Sequence, residues 1–259
     1  MPRDQHASRS TRAAARRLAP WTQQAEELPL RRDMVTLLTY VRDNRVTGTQ
    51  STGNLTLKAV REVTARFVHP PELDTTIGDQ TFRLRTEYDV WPLYFLHTLA
   101  EVGGLLVGGR ARRLRLTPEG ARFLLASPPM QVWVLLVYWW TYVNWLIAYP
   151  FEGMGEDLPP RFEEITLARL LSLPVGERVP FEPFADRLIQ ATGLTWTVAG
   201  SPFTRTLLHG AISSMIVDVL ADFGALEREY QDRLLGRMMS RDLVVFRVTP
   251  FGRGLLESL

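Results

Sequence analysis

The chain contains no cysteine, and of its 30 basic residues only Lys58 is a lysine. Without cysteine the protein can form no disulfide, no thiolate zinc site and no cysteine nucleophile. This absence favours a reducing compartment, so we predict that the protein is cytoplasmic. The excess of arginine fits two explanations, a GC-rich genome or selection for the bidentate and stacking contacts that lysine does not make.

Histidine is scarce as well, and the sequence has no catalytic motif. The four histidines, His6, His69, His97 and His209, lie far apart and show no metal-ligand spacing. No Walker-type glycine loop and no nucleophile elbow is present, and the polar segment 47–54 lacks the Gly-Lys-Ser/Thr ending of a phosphate loop. We therefore predict a turn or irregular strand at this segment, no catalytic or metal site, and no cofactor.

A third absence is charge, because residues 123–151 carry none. An apolar segment of about 20 residues can span a bilayer. Here, however, tryptophan and tyrosine lie throughout the segment instead of in belts at its ends, and Gln131, Thr141 and Asn144 would need partners in hydrocarbon. We therefore predict a buried helix, either a core shared by two units or a seam in a homo-oligomer, and consider a membrane segment the less favoured alternative.

What the chain does contain is an internal repeat. The stretch LAEVGGL at 99–105, followed by LTPEG at 116–120, returns as LADFGAL at 220–226, followed by VTPFG at 248–252. Each copy has the pattern of an apolar helix end, a glycine stop, a two-stranded hairpin and a Thr-Pro-x-Gly turn that starts another helix. The second hairpin is longer, and we expect a helical turn inside it at 232–240.

In this order of elements both copies resemble winged-helix domains, and segment 47–57 resembles the winged-helix regions of some uncharacterised bacterial proteins. The resemblance covers roughly residues 33–128 and 181–259. It implies a mainly α fold with small β-hairpin wings (α+β), with two winged-helix units joined by a buried aromatic-rich helix. The predicted domains are a basic, disordered tail, the first unit, the aromatic helix with its linker, and the second unit, at residues 1–32, 33–128, 129–158 and 159–259.

Winged helices often bind DNA by placing the third helix in the major groove while the wing contacts phosphates or the minor groove. The third helix of the first unit, predicted at 90–102, is expected to expose Pro92, His97, Thr98 and Glu101, and it contains no arginine or lysine. The third helix of the second unit is expected to expose His209 and two acids. Neither helix is therefore predicted to read bases strongly.

The first wing is the better electrostatic candidate for binding a polyanion. Alternation along a strand would place Arg113 and Arg115 on one face, and Gly108-Gly109 would let the tip approach a backbone closely. The alternative is a solvated wing whose arginines serve only solubility. The candidate nucleic-acid-binding residues are Arg110, Arg112, Arg113, Arg115, Arg122, Lys58 and Arg61.

The resemblance and the basic wing together predict a nucleic-acid-binding protein, a transcriptional regulator or accessory factor that contacts DNA. The alternative is a protein-interaction or scaffold module that binds a protein partner or a second copy of itself and does not bind DNA directly. In that case the acidic and apolar third helices and the aromatic helix would form the interface.

Overall fold

The computed structural model describes residues 3–77, 80–148, 157–196, 203–235 and 238–259. The chain forms two compact units. The first unit is Thr22–Val143, and the second unit combines Met1–Trp21 with Asn144–Leu259. Both units are mainly helical with small antiparallel sheets, which confirms the predicted α+β class.

Short strands are interspersed among the helices. In chain order the helices are α1 (Arg3–Leu18), α2 (Thr22–Glu27), α3 (Pro29–Asp43), α4 (Leu57–Thr64), α5 (Trp91–Val102), α6 (Pro118–Leu125), α7 (Pro128–Tyr142), α8 (Phe162–Leu171), α9 (Phe181–Thr192), α10 (Thr204–Ile212), α11 (Val219–Asp222) and α12 (Pro250–Leu256). The strands are β1 (Thr75–Ile77), β2 (Gln80–Phe82), β3 (Leu106–Val107), β4 (Arg115–Leu116), β5 (Val179–Pro180), β6 (Leu226–Leu235) and β7 (Met238–Val248). A π-helical segment, Ser213–Asp218, links α10 to α11.

The two units repeat one order of elements. The first runs from α3 through an isolated bridge at Thr47, then α4, α5, β3, β4 and α6, while the second runs α8, β5, α9, α10–α11, β6, β7 and α12. The second sheet has the order β5-β7-β6, and in the first unit Thr47 pairs with Arg113, just before β4. The segment before the hairpin, β5 in the second unit and the bridge at Thr47 in the first, therefore pairs in both units with the second half of the hairpin. The β1–β2 hairpin is an insertion between α4 and α5.

Both copies of the repeat form antiparallel hairpins, as predicted. Leu106 pairs with Leu116 in the first unit, and Leu226 pairs with Val248 in the second. The helical turn expected at 232–240 is wrong, because residues 232–235 and 238–240 belong to the paired strands β6 and β7, while residues 236 and 237 lie outside the described residues. The contacts between the paired strands outweigh the helical preference of this short segment, because strand formation depends strongly on the cross-strand neighbours of each residue.

The third helix of each unit, which is α5 in the first and α10–α11 in the second, ends in the same way. Gly104 (φ 64°) and Gly224 (φ 71°) adopt the left-handed conformation that ends the helix. The N–H of the next residue then donates to the carbonyl five residues back, at 2.7 Å in the first unit and 2.8 Å in the second. The sequence repeat aligns Gly103 with Gly224, whereas the residue structurally equivalent to Gly224 is Gly104. The sequence alignment is therefore shifted by one residue at the helix end. Gly103 has ordinary helical angles, and a side chain there would collide with the ring of Tyr138.

A threonine fixes the end of each hairpin to this helix stop. The hydroxyls of Thr117 and Thr249 accept from the N–H groups of Gly120 and Gly252, at 2.9 and 2.7 Å. The same hydroxyls lie 2.7 and 2.8 Å from the carbonyls of the two left-handed glycines. Thr117 is thus the N-cap that the sequence predicts, and one hydroxyl joins the third helix to the helix after the hairpin.

Helix α7 contains most of the uncharged aromatic stretch, and it is part of the core of the first unit. It packs against α2, α3 and α5, and Trp139 is completely buried. Its buried amide, Gln131, donates to the carbonyl of Phe123 and accepts from Arg31, both at 2.8 Å. The first unit therefore extends beyond residue 128, and α7 does not belong to a separate segment 129–158. In the described part of the chain, every helix is too short or too polar to cross a membrane.

The basic tail differs most from the prediction, since residues 3–18 and most of 22–32 are helical instead of disordered. Helix α1 packs against α12 at the far end of the chain. Ala14 and Leu18 are 2% and 0% exposed, and Arg17 donates to the carbonyl of Glu257 at 2.7 Å. Ala14 and Leu18 are only a weak sign of a buried helix face in a segment rich in arginine, alanine and serine. Their burial depends on a distant partner.

Candidate nucleic-acid interface

The arginine-rich loop of the first hairpin is held by the segment that precedes α4. The N–H of Gly48 donates to the carbonyl of Arg112, and the N–H of Leu114 donates to the carbonyl of Val46, each at 2.9 Å. The N–H of Ala111 also donates to the carbonyl of Thr49, at 3.2 Å. The loop between β3 and β4 is therefore not a free tip, because hydrogen bonds attach it to a second piece of backbone.

Close backbone contact requires glycine at this junction. A Cβ atom on Gly53 (φ 90°) would lie 2.9 Å from the backbone nitrogen of Arg110, and one on Gly48 would lie 2.4 Å from the carbonyl oxygen of Gly109. The turn itself is closed by Thr49, whose N–H donates to the carbonyl of Asn54 at 2.8 Å. Segment 47–54 is thus the turn or irregular strand that the sequence predicts. Its structural role is to support the hairpin.

Four arginines of the first hairpin project from this support. Arg110, Arg112, Arg113 and Arg115 are all exposed, whereas Leu114 between them is 1% exposed. Leu114 is thus the inward residue of the alternation, with Arg113 and Arg115 outside, as predicted. Among the described residues, none of the four guanidinium groups has a carboxylate partner. We call these four residues the arginine platform.

The other three predicted contact residues have acidic partners. Lys58 lies 3.8 Å from Glu62, the Arg61 guanidinium makes two 3.1 Å bonds to Asp74, and Arg122 pairs with Glu119. The bond from Arg61 also lowers the pKa of the Asp74 carboxyl. These side chains are exposed, so such pairs contribute little to stability. Their charge is nevertheless partly neutralised within the chain, which distinguishes them from the arginine platform.

The third helix of the first unit does not expose His97, contrary to the prediction. His97 is 3% exposed, and its Nδ1 lies 2.7 Å from a carboxylate oxygen of Glu87, itself 1% exposed. Burial acts to lower the pKa of His97, but the bond to Glu87 and the nearby charge of Glu101 outweigh it, so the pKa lies above its usual value. Periodicity along the helix could not reveal this, because Glu87 precedes the helix.

The same carboxylate links the third helix to the support of the arginine platform. The second oxygen of Glu87 accepts the backbone N–H of Leu55, at 2.5 Å. Leu55 directly follows the turn that ends at Asn54. One buried glutamate thus connects α5, through His97, to the backbone that holds the platform.

The third helix of the second unit also has a paired histidine, but near the surface. Nε2 of His209 lies 2.8 Å from Asp186, which also accepts two bonds from Arg205. The bonds from Arg205 and His209 lower the pKa of Asp186 to about 2. His209 is 8% exposed, whereas the Asp186 side chain is 46% exposed. The prediction that His209 is exposed is therefore also wrong.

Two arginines near the base of the second hairpin, Arg228 and Arg247, lie beside acidic side chains. Arg228 bonds Asp218 and Asp222 at 3.1 and 3.0 Å. Arg247 lies 2.5 Å from Glu229 and 3.4 Å from Glu227. Each of these guanidinium groups therefore has two carboxylates beside it. At these two positions the second hairpin pairs its arginines with acids, whereas the arginines of the first hairpin have no carboxylate partner among the described residues.

No family model, curated protein or solved structure matches this chain. Within the described residues, no group of three or more His, Asp or Glu side chains is arranged to hold a metal ion.

Proposed function

We propose that the protein is a double winged-helix protein that binds nucleic acid through the arginine platform of its first unit. The order of elements supports this proposal, since each unit has a helix, a strand or an isolated bridge, two helices and a hairpin. In the second unit the last strand of the hairpin lies in the middle of the sheet, and in the first unit Arg113, just before the last strand, pairs with Thr47. In winged-helix proteins the hairpin often contacts phosphates. One fold can serve many functions, so the residues of the site decide which ligand it binds.

The observation that carries the proposal is the lack of carboxylate partners for the four platform arginines in the described part of the chain. An unpaired guanidinium can bind a phosphate without first breaking an internal ion pair, and its planar donors match phosphate oxygens. The hydrogen bonds from segment 46–49 to the platform's backbone also reduce the conformational entropy that binding would otherwise cost.

The test is the charge reversal Arg112→Glu, Arg113→Glu and Arg115→Glu, measured by fluorescence anisotropy with a labelled DNA duplex over a range of salt concentrations. We expect the wild type to bind more weakly as salt rises, and the variant to lose this binding. A triple reversal of exposed arginines in the second unit, Arg12→Glu, Arg169→Glu and Arg187→Glu, is the matched control because it changes the net charge equally and breaks no ion pair among the described residues. Loss of binding in both variants, or in neither, would remove the platform from the mechanism.

A second candidate function is a protein-interaction module without direct DNA binding. Apolar side chains next to and on the same hairpin favour it, since Val102 and Val107 are 43% and 56% exposed. Tyr88, just before α5, is 51% exposed. This function predicts no DNA affinity at physiological salt and a defined oligomer or partner complex by light scattering. A monomer that binds duplex DNA would exclude it.

A further inference from the structure

The side chains of the third helices determine whether the proposed site can discriminate one base sequence from another. Side chains that discriminate bases in the major groove are mostly arginine, lysine, asparagine and glutamine. Helix α5 contains none of them. Its histidine is buried against Glu87, and its exposed polar end carries Glu101, whose charge repels phosphate. Thr98 is half-buried. This helix therefore has no strong base-reading side chain to offer.

The second unit does not supply the missing readers. From α10 to α11 its only arginine is Arg205, and this side chain is bonded to both Glu182 and Asp186. The helix continues with two acids, Asp218 and Asp222, which hold Arg228 of the neighbouring hairpin. Reading a base with Arg205 would require breaking its carboxylate pairs, at a cost that a base contact must first recover.

The arginine platform, by contrast, is suited to a repeating charge. Its four arginines lie within the six residues 110–115, and Leu114 is the one buried residue among these six. The adjacent turn offers the exposed polar side chains of Gln50, Ser51 and Thr52. Hydroxyl, amide and guanidinium groups are the usual donors to phosphate oxygens, and phosphate contacts carry no sequence information.

We propose that the ligand of the arginine platform is the phosphate backbone of duplex DNA, bound without discrimination of base sequence. This inference rests on the proposed function and restricts it to an architectural or accessory role, because a sequence-specific regulator needs base contacts or costly deformation of a preferred sequence. Affinity comes from counterion release by the four arginines. The logarithm of the association constant therefore falls with the logarithm of salt concentration, with a slope of about −3.6.

The first experiment selects binders from a library of random-sequence duplexes with the wild-type full chain. No sequence motif is expected to be enriched, and unrelated duplexes of equal length are expected to differ by less than about threefold in Kd. A single mismatched base pair in a read site costs about 1–3 kcal/mol, or fivefold and more, so a true reader is easily distinguished. An enriched motif confirmed by such a difference overturns the inference and leaves DNA binding intact.

The second experiment measures the salt slope of single variants. Arg112→Gln and Arg113→Gln are each expected to reduce the magnitude of the slope by about 1 and to weaken all duplexes equally. Arg187→Gln, an exposed arginine of the second unit, is the control and should leave the slope unchanged. A platform variant that weakens one duplex selectively contradicts the inference. Complete absence of binding at low salt instead contradicts the proposed function, so the two failures are distinguishable.

Discussion

The hairpins of the two units start and end at the same junction but differ in how their charge is balanced. Each begins after a left-handed glycine and ends at a threonine that caps the next helix. The short hairpin leaves its arginines without carboxylates in the described structure, whereas Arg228 and Arg247 of the long hairpin each lie beside two acids. The two hairpins therefore share the backbone junction that fixes the fold, whereas their outward-facing residues differ in charge.

The histidines of the third helices differ in a similar way. His97 and Glu87 form a buried pair that also holds the backbone of Leu55. His209 pairs with Asp186, whose side chain is 46% exposed and also bound by Arg205. A pair of the same chemical type therefore supports the interior of the first unit and the surface of the second.

The largest expected effect is on stability, which should fall much more when the buried His97–Glu87 pair is broken than when the His209–Asp186 pair is broken. Glu87→Ala leaves His97 and the Leu55 N–H without their buried partner, so we expect it to destabilise the first unit by about 3 kcal/mol. Asp186→Ala removes a carboxylate that water can replace, and we expect a loss of less than about 1 kcal/mol in the second unit. Hydrogen exchange of amides in each unit measures both. Equal losses would show that burial does not separate the two pairs.

A smaller loss of stability, equal in the two units, is expected from substituting the glycine that follows each capping threonine by three residues. A Cβ atom on Gly120 would lie 2.3 Å from the carbonyl oxygen of Leu105, and one on Gly252 would lie 1.9 Å from that of Ala225. Because backbone must move in both cases, Gly120→Ala and Gly252→Ala should each cost about 2 kcal/mol in their own unit. The comparison is again made by hydrogen exchange of each unit.

Gly254→Ala is the control for this prediction, since it lies in the same helix as Gly252 and its nearest contact is the end of a flexible side chain, Leu18, at 3.3 Å. It should cost much less. A junction glycine that tolerates alanine as well as Gly254 does would indicate that the two copies are not equivalent there.

The smallest expected effect is a pH dependence that runs in opposite directions in the two units. The pKa of His97 is raised, so its contribution to stability is complete below the unfolded value near 6.5 and is lost as pH rises through the folded pKa. The pKa of Asp186 is lowered to about 2, so its contribution is present above the unfolded value near 3.8 and is lost as pH falls towards 2.

Unfolding followed at resolved NMR signals of each unit, over a series of pH values, checks this pair of trends. His97→Gln should reduce the loss of stability of the first unit at high pH, and Asp186→Asn should reduce that of the second at low pH. If either variant keeps the full wild-type dependence, another group is responsible for it.

Much of the fold was predictable because its signals are local. The residues Met34, Leu37, Leu38 and Val41 have the spacing of one apolar helix face, and all four side chains are buried in α3. The Thr-Pro-x-Gly pattern predicted a capped helix start at Thr117, and the structure has one. Alternation along a strand predicts that Arg113 and Arg115 share one face, and both are exposed on either side of the buried Leu114. In each case the residues that interact are close together in the sequence.

The sequence could not show which polar groups find a partner across the fold. Nothing near His97 in the helix indicates that Glu87 will bury it, and nothing in the tail indicates that Leu18 will pack beside Gly254. The assignment of α7 to the first unit also depended on contacts with distant helices. Ion pairs such as Arg61 with Asp74 are of the same kind, because the partners come from separate segments.

The repeated helix stop, the two hairpins and the arginine-rich stretch of the first hairpin are visible in the amino-acid sequence. These features follow from backbone preferences and alternation over a few residues. Which charges remain unpaired, which histidine is buried and where the aromatic helix packs depend on the folded structure. Those outcomes depend on burial and on partners far away in the chain, since the free energy of a charge is set by what surrounds it in space.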